Sequence, residues 1–116
     1  NLIVNAAQAS KSLERRSEME IFTTIYDGMI ELNFRDTCGG IPKGVLERIF
    51  DPFFTTKDIG EGTGLGLHIA HNIIEGHGGG IEVRSEPPIG TTFCISLPLG
   101  GFKGPMVIKQ LSRFKV

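Results

Sequence analysis

The chain is poor in the residue types that staple small folds or anchor large aromatic cores, with two cysteines, one tyrosine and no tryptophan in 116 residues. Cys38 and Cys94 are too few for a disulfide framework, and neither has a second Cys or a His at metal-ligand spacing. Free thiols in a reducing compartment are the plain reading, so a cytoplasmic location is expected. No apolar run approaches the ~20 residues that a membrane span needs, and no secretory leader is recognisable. Neither sign of charge dominates, with 12 Lys and Arg against 13 Asp and Glu. The segment from Gly100 onward holds Lys103, Lys109, Arg113 and Lys115 and no acid, so the rest of the chain is distinctly acidic. An acidic body does not suit a polyanion, so no nucleic-acid partner is expected and any phosphate site must be local. The length fits one hydrophobic core.

Glycine, in contrast, is abundant. Sixteen are present, fifteen of them clustered between Gly39 and Gly104 without a fixed period, which excludes collagen and repeat architectures. Such clustering points to turns of positive φ or to backbone that something approaches closely.

The chain opens in a helical pattern, with Leu2, Ile3, Ala6 and Ala9 at helical spacing continuing toward Leu13. No cap precedes Asn1, so a helix beginning further upstream is expected. Residues Glu18–Tyr26 and Met29–Arg35 alternate around Asp27-Gly28, a two-residue hairpin signal. A glycine loop, Asp36 to Pro42, leads to a short helix around Lys43–Ile49. Residues Phe50–Gly64 lack periodicity, as a functional lid does. Leu65–Glu75 is apolar at helical spacing and stops at Gly76 and Gly78–Gly80. Ile81–Ser85 and Thr91–Leu97 read as two more strands. The order predicts an α+β fold, with helices layered on one face of a mainly antiparallel sheet. After Pro98 the reading divides between a linker and a short basic helix over Met106–Val116.

Gly60-Glu61-Gly62-Thr63-Gly64-Leu65-Gly66-Leu67 carries the strongest chemical signal. Alternate glycines expose successive amides and run into a helix whose N-terminal dipole favours an anion, which suits a phosphate cradle. The spacing matches neither a P-loop nor a dinucleotide fingerprint. A flexible loop is the plainer alternative. Asn1 and Asn5 lie one helical turn apart on one face. An amide oxygen suits Mg²⁺, which takes few protein ligands beside phosphates and water; a solvated Asn is the simpler reading of either residue alone. Asp36, at a strand end, is placed to cap a turn or to accept a hydrogen bond from an exocyclic amine, while Gly39 and Gly40 let a ring approach. Lys57 has the reach of a phosphate contact. Phe50, Phe53 and Phe54 read first as packing.

In order, the segments Asn-x-x-x-Asn-Ala, Asp-Thr-Cys-Gly-Gly-Ile-Pro, Phe-Asp-Pro-Phe-Phe-Thr-Thr-Lys, Gly-Glu-Gly-Thr-Gly-Leu-Gly-Leu and Gly-Thr-Thr-Phe resemble the N, G1, F, G2 and G3 boxes of sensor histidine kinases. These kinases belong to the GHKL superfamily, with the gyrase, heat-shock chaperone and mismatch-repair ATPases. The likeness covers residues 1–98, leaves 99–116 as a basic tail or linker, and is nearest to the nitrogen-regulation-like group.

The resemblance implies a two-layer α/β sandwich of the Bergerat type, with a mixed, mainly antiparallel sheet and a mobile lid over ATP. By position, Asn5 would coordinate Mg²⁺ and Asn1 would assist at the phosphates. Asp36 would bind the adenine amine, with Gly40 against the ring and Thr91 nearby. Gly62, Gly64 and Gly66 would form the lid end and phosphate cradle, with Leu65 in the same turn. Lys57, and more loosely Arg48, would reach the γ-phosphate. The implied reaction moves that phosphoryl group to a histidine on a separate dimerisation domain, in a full-length homodimer that serves a response regulator. His68, His71 and His77 lack the context of an acceptor and read as structural. A non-catalytic nucleotide-binding module and a small ATPase are the alternatives.

Two departures stand out. Cys38 replaces the family's glycine, and a Cβ at positive φ would cost about 1 kcal/mol, so weakened adenine binding or a rearranged loop is expected. The family's first helix and strand have no counterpart before Asn1, so the domain reads as N-terminally truncated. An open sheet edge is expected, with lower stability or pairing to a second copy.

Overall fold

The structure is a computed structural model, and it describes residues 1–57, 59, 60, 62–100 and 108–115, the last segment as backbone apart from the Arg113 side chain. Residues 106, 107 and 116, within the span Met106–Val116 read as a possible short helix, lie outside the described residues. Among the described residues eight elements follow in order: α1 (Leu2–Ser10), β1 (Glu18–Tyr26), β2 (Met29–Asp36), α2 (Lys43–Leu46), α3 (Gly66–Gly76), β3 (Gly80–Glu86), β4 (Gly90–Pro98) and β5 (Ile108–Lys115).

The β1–β2 hairpin closes where its turn chemistry demands. Asp27 and Gly28 both take positive φ, 48° and 75°, and Tyr26 pairs with Met29 across them. Two left-handed central residues give the turn whose twist matches that of paired strands. At the other end of the hairpin, the Thr37 hydroxyl accepts the Glu18 amide at 2.9 Å, tying the glycine loop to the start of β1.

The strands lie in the order β3-β4-β2-β1-β5, and every pairing among them is antiparallel. Their registers stack apolar residues on one face. Val83, Phe93, Phe34 and Ile21 form one row across four strands, and Ile81, Ile95, Leu32 and Thr23 the next. α1, α2 and α3 cover that face. Leu2, Ile49 and Phe93 make one buried cluster with Phe34, Val45, Phe50 and Leu67 packed around it. Ala6, Met19 and Cys38 make a second. Burying a side chain of Phe or Leu size contributes about 1.5–3 kcal/mol, so these contacts fix α1 against the sheet.

The opposite face is polar. Glu20 bridges Arg35 at 3.7 Å and Arg113 at 2.8 Å, a cross-strand arrangement over β2, β1 and β5. The α+β architecture, with helices on one face of a mainly antiparallel sheet, is the one expected from the pattern of the sequence.

The tail differs. Ile108–Lys115 is a strand on β1, in the register Met19↔Phe114, rather than a short helix or a linker. Ile108, Leu111 and Phe114 recur every third residue and so read as helical, but strand pairing overrides local periodicity in so short a segment. β5 covers the side of β1 that faces away from β2, and the sheet remains open, with β3 and β5 as its outer strands. Among the described residues no helix is long and apolar enough to cross a membrane.

Candidate functional site

Between α1, the glycine loop, the lid and the ends of β2 and β4 lies a cavity of about 470 Å³. That is within the range of small-molecule sites. Asn1, Asn5, Asp36, Gly40, Lys57, Gly62, Gly64, Gly66 and Thr91 all line it. Segments far apart in sequence thus converge on one volume.

The first wall is α1. Its helical spacing brings Asn1, Asn5 and Gln8 to the cavity while Leu2 and Ala6 are buried. The Asn1 carboxamide donates to the Gly66 carbonyl at 3.0 Å, which docks the start of α1 on the start of α3. Asn5, half-buried, makes no side-chain hydrogen bond among the described residues, so its carboxamide is free for a ligand. No cluster of three His, Cys, Asp or Glu among the described residues could hold a metal. A cation here would need neutral oxygen donors and oxygens brought by the ligand. The Asn5 carboxamide fits Mg²⁺ on those terms.

The floor includes Thr91 on β4 and Asp36 on β2, which stand side by side in a row that Ser85 on β3 and Met19 on β1 continue outside the cavity lining. Asp36 is only 9% exposed and Thr91 5%. The Cys38 amide donates to Asp36 Oδ1 at 2.9 Å. Burial pushes the Asp36 carboxyl above the usual carboxylate range, and the amides of Cys38 and Thr91 oppose that rise. Burial also raises the Cys38 thiol, with the Asp36 charge adding to it. A thiol so held is a packing group rather than a nucleophile.

Positive φ in the glycine loop falls on Gly39 and Gly40, at 95° and 75°, and not on Cys38. The strain anticipated for a Cβ at that position is therefore absent. The cysteine instead fills space among Ala6, Met19 and the cavity wall. Gly40 cannot be replaced so easily, because a Cβ there would stand 2.9 Å from the Pro87 nitrogen.

The lid supplies the remaining wall. Phe50 is anchored: its ring lies 5.2 Å from that of His71 and 6.4 Å from that of Phe93, between centroids. His68 Nδ1 donates to the Phe50 carbonyl at 3.1 Å, which leaves Nε2 to accept from Asn72 at 3.2 Å. His68 and His71 are thus engaged in packing, as their sequence context implied. Arg48 sits 4.5 Å over the Phe54 ring and pairs with Asp51 at 3.6 Å, away from the cavity lining. Lys57 lines the cavity, and its ammonium donates to the Gln8 side-chain oxygen. Leu65 precedes α3 and does not line the cavity; its amide donates to Thr63 Oγ1 at 3.3 Å.

Gln8 and Ser85 escaped the sequence reading. Gln8 lies seven residues after Asn1 and three after Asn5, so the helical face that nominated the two asparagines also contains it. Ser85 gave no signal, since its importance comes from neighbours distant in sequence.

A family model described as histidine kinase-, DNA gyrase B-, and HSP90-like ATPase matches residues 1–101. Sporulation kinase A of Bacillus subtilis is 44% identical over 98 residues, covering 84% of this chain and 15% of that protein. The signal transduction histidine-protein kinase AtoS of Escherichia coli is 41% identical over 100 residues, covering 85% of this chain and 16% of that one. The chain therefore spans less than a fifth of these relatives. Among solved structures, the catalytic domain of histidine kinase ThkA superposes with a TM-score of 0.63 at 32% identity, covering 84% of this chain and 63% of that one. Full-length ShkA in complex with AMPPNP superposes with a TM-score of 0.68 at 26% identity, covering 90% of this chain and 22% of that one.

Proposed function

This chain belongs to the histidine kinase-, DNA gyrase B- and HSP90-like ATPases, as an ATP-binding catalytic domain of the histidine kinase kind, and from that premise we propose that it binds Mg-ATP for phosphoryl transfer to a histidine on a separate dimerisation domain. The convergence of Asn5, Asp36, Thr91 and the lid glycines on one cavity carries the reading. The nucleotide in the ShkA complex supports it, since that protein shares the fold.

In this reading the base lies at the sheet end of the cavity, its exocyclic amine donating to the Asp36 carboxylate while Gly40 lets the ring lie close. The phosphates run toward α1 and the lid, where Gly62, Gly64 and Gly66 offer amides without side chains in the way. The first turn of α3 adds its dipole, and Lys57 adds a point charge at the far phosphate. Asn5, assisted by Asn1, would hold Mg²⁺, which supplies charge neutralisation at the phosphates when bound. In the transfer the acceptor imidazole nitrogen forms a bond to the γ-phosphorus, and the bond to the bridging oxygen breaks to release ADP. Such transfers ask the protein to position groups and spread charge, which is what these side chains are placed to do. A homodimeric full-length protein, a response regulator partner and a cytoplasmic position for residues 1–98, the kinase domain, follow from the same proposal.

Titration with a fluorescent ATP analogue, with and without Mg²⁺, tests the reading. Saturable Mg-dependent binding that is lost in Asn5→Ala and Asp36→Ala is expected; absence of binding to the folded chain defeats the proposal. With labelled ATP the chain alone is expected to acquire no acid-labile phosphate, because the acceptor histidine lies on another domain. Sustained phosphate release by the chain alone would favour a simple ATPase instead.

A further inference from the structure

The Ser85 hydroxyl has three neighbours. It accepts the Ile41 amide at 2.6 Å, lies 3.2 Å from the Gly90 carbonyl oxygen and 3.0 Å from Thr91 Oγ1. A hydroxyl has one proton and two acceptor positions. The Ile41 N–H takes one of those positions. The Gly90 carbonyl can only accept, so the Ser85 proton belongs there. The last position is then filled by the Thr91 proton. Sending the Ser85 proton to Thr91 would leave two oxygens facing each other, lone pair to lone pair, at 3.2 Å. Only the first arrangement satisfies all three contacts.

The consequence reaches the cavity. Thr91 is 5% exposed, lines the cavity and stands opposite Asp36 in the β2–β4 register. With its proton spent on Ser85, Thr91 turns only lone pairs toward a ligand. The neighbouring Asp36 carboxylate is an acceptor as well, and the nearby Cys38 amide is already occupied by Asp36 Oδ1. The sheet end of the cavity therefore offers acceptors from two adjacent strands. A ligand amine meets partners there, whereas a carbonyl would leave buried acceptors unpaired, the situation that sites reject most strongly.

We infer that Ser85 is a positioning residue that fixes Thr91 as an acceptor and so makes the site select a 6-amino purine over a 6-oxo purine. The inference rests on the nucleotide reading above and adds the device that sets base choice. It also gives the Ile41 contact a purpose, because that amide fills the lone pair that would otherwise let Ser85 turn.

The test compares the affinities of the whole chain for ATP and inosine triphosphate, with Mg²⁺, by displacement of a fluorescent analogue. The wild type is expected to prefer ATP. In Ser85→Ala the Thr91 proton is released and can turn to the ligand, so the preference falls by about tenfold, mainly through tighter binding of inosine triphosphate. Ser85→Thr keeps a hydroxyl and is expected to keep the wild-type ratio. A merely structural Ser85 would weaken both nucleotides by the same factor; an unchanged ratio in a folded Ser85→Ala overturns the inference. Should Ser85→Ala melt early, Thr91→Val decides, since the ratio must fall there too and an unchanged ratio is again fatal. A wild type that binds ATP without preference overturns only this inference. A wild type that binds neither nucleotide overturns the nucleotide reading and this inference together.

Discussion

Gly64 lies against the backbone of Phe53: a Cβ on Gly64 would stand 2.3 Å from the Phe53 carbonyl carbon, and the two residues have φ of 71° and 66°. The exposed, left-handed Phe53 and the glycine that permits this close approach lie where the two ends of the lid meet. Gly64→Ala combines an unfavourable φ with a backbone clash, and a Cβ in that region alone costs about 1–2 kcal/mol. Nucleotide affinity is expected to fall on the order of tenfold or more, with little change in far-ultraviolet circular dichroism, because the lid contributes no strand. Undiminished affinity would show that the lid end does not touch the ligand.

Asn5 is expected to carry the Mg²⁺ dependence of binding. Asn5→Ala should lose the increment in ATP affinity that Mg²⁺ supplies, while affinity in the presence of a chelator stays near the wild-type value. Equal loss in both conditions would assign Asn5 to the nucleotide itself or to the fold.

Lys57 is expected to read the terminal phosphate. Lys57→Met should weaken ATP more than ADP, by roughly tenfold for one lost charge-assisted contact. Its apo partner Gln8 competes for the same ammonium, so Gln8→Ala should not weaken ATP. Equal effects of Lys57→Met on ATP and ADP would remove Lys57 from the phosphate end.

Asp36 sets opposite pH trends for stability and binding. Its carboxyl is raised above 3.8 by burial, so the folded state holds the proton more tightly than the unfolded chain. Below the unfolded value both states are protonated and the group costs nothing. Stability falls as pH rises from there through the folded value, and the full cost of the buried charge is present above it. Ligand binding runs the other way, because an amine needs the ionised acceptor, and affinity should decline on acidification through that raised range. Asp36→Asn is expected to flatten both profiles, to match or exceed wild-type stability at neutrality, and to bind ATP poorly. Urea midpoints and titrations from mild acid to neutral pH check all three.

Gly28 tests the hairpin apart from the site. Its φ of 75° suits glycine, and Gly28→Ala should cost about 1 kcal/mol. A domain of this size would then melt roughly 4–8 °C lower, with ATP affinity unchanged below the transition.

The sequence by itself determined what local chemistry encodes. Helical spacing set α1 and α3, Asp27-Gly28 set the hairpin turn, and glycines marked the loop, the lid end and the stop of α3. Asn1, Asn5, Asp36, Gly62, Gly64 and Gly66 were nominated because each motif is contiguous and carries its own physical rationale, whereas Thr91 was nominated by the family resemblance alone. Tertiary structure decided what depends on partners distant along the chain. It inserted β4 between β2 and β3, and it made a strand of a tail whose apolar spacing reads as helical. It put Cys38 at ordinary φ while its glycine neighbours took the left-handed positions. The direction of the Thr91 proton is the clearest case, for it is fixed by Ser85 through an amide 44 residues away. Local periodicity has no access to a hydrogen bond whose donor and acceptor meet only when sheet and loop close on each other.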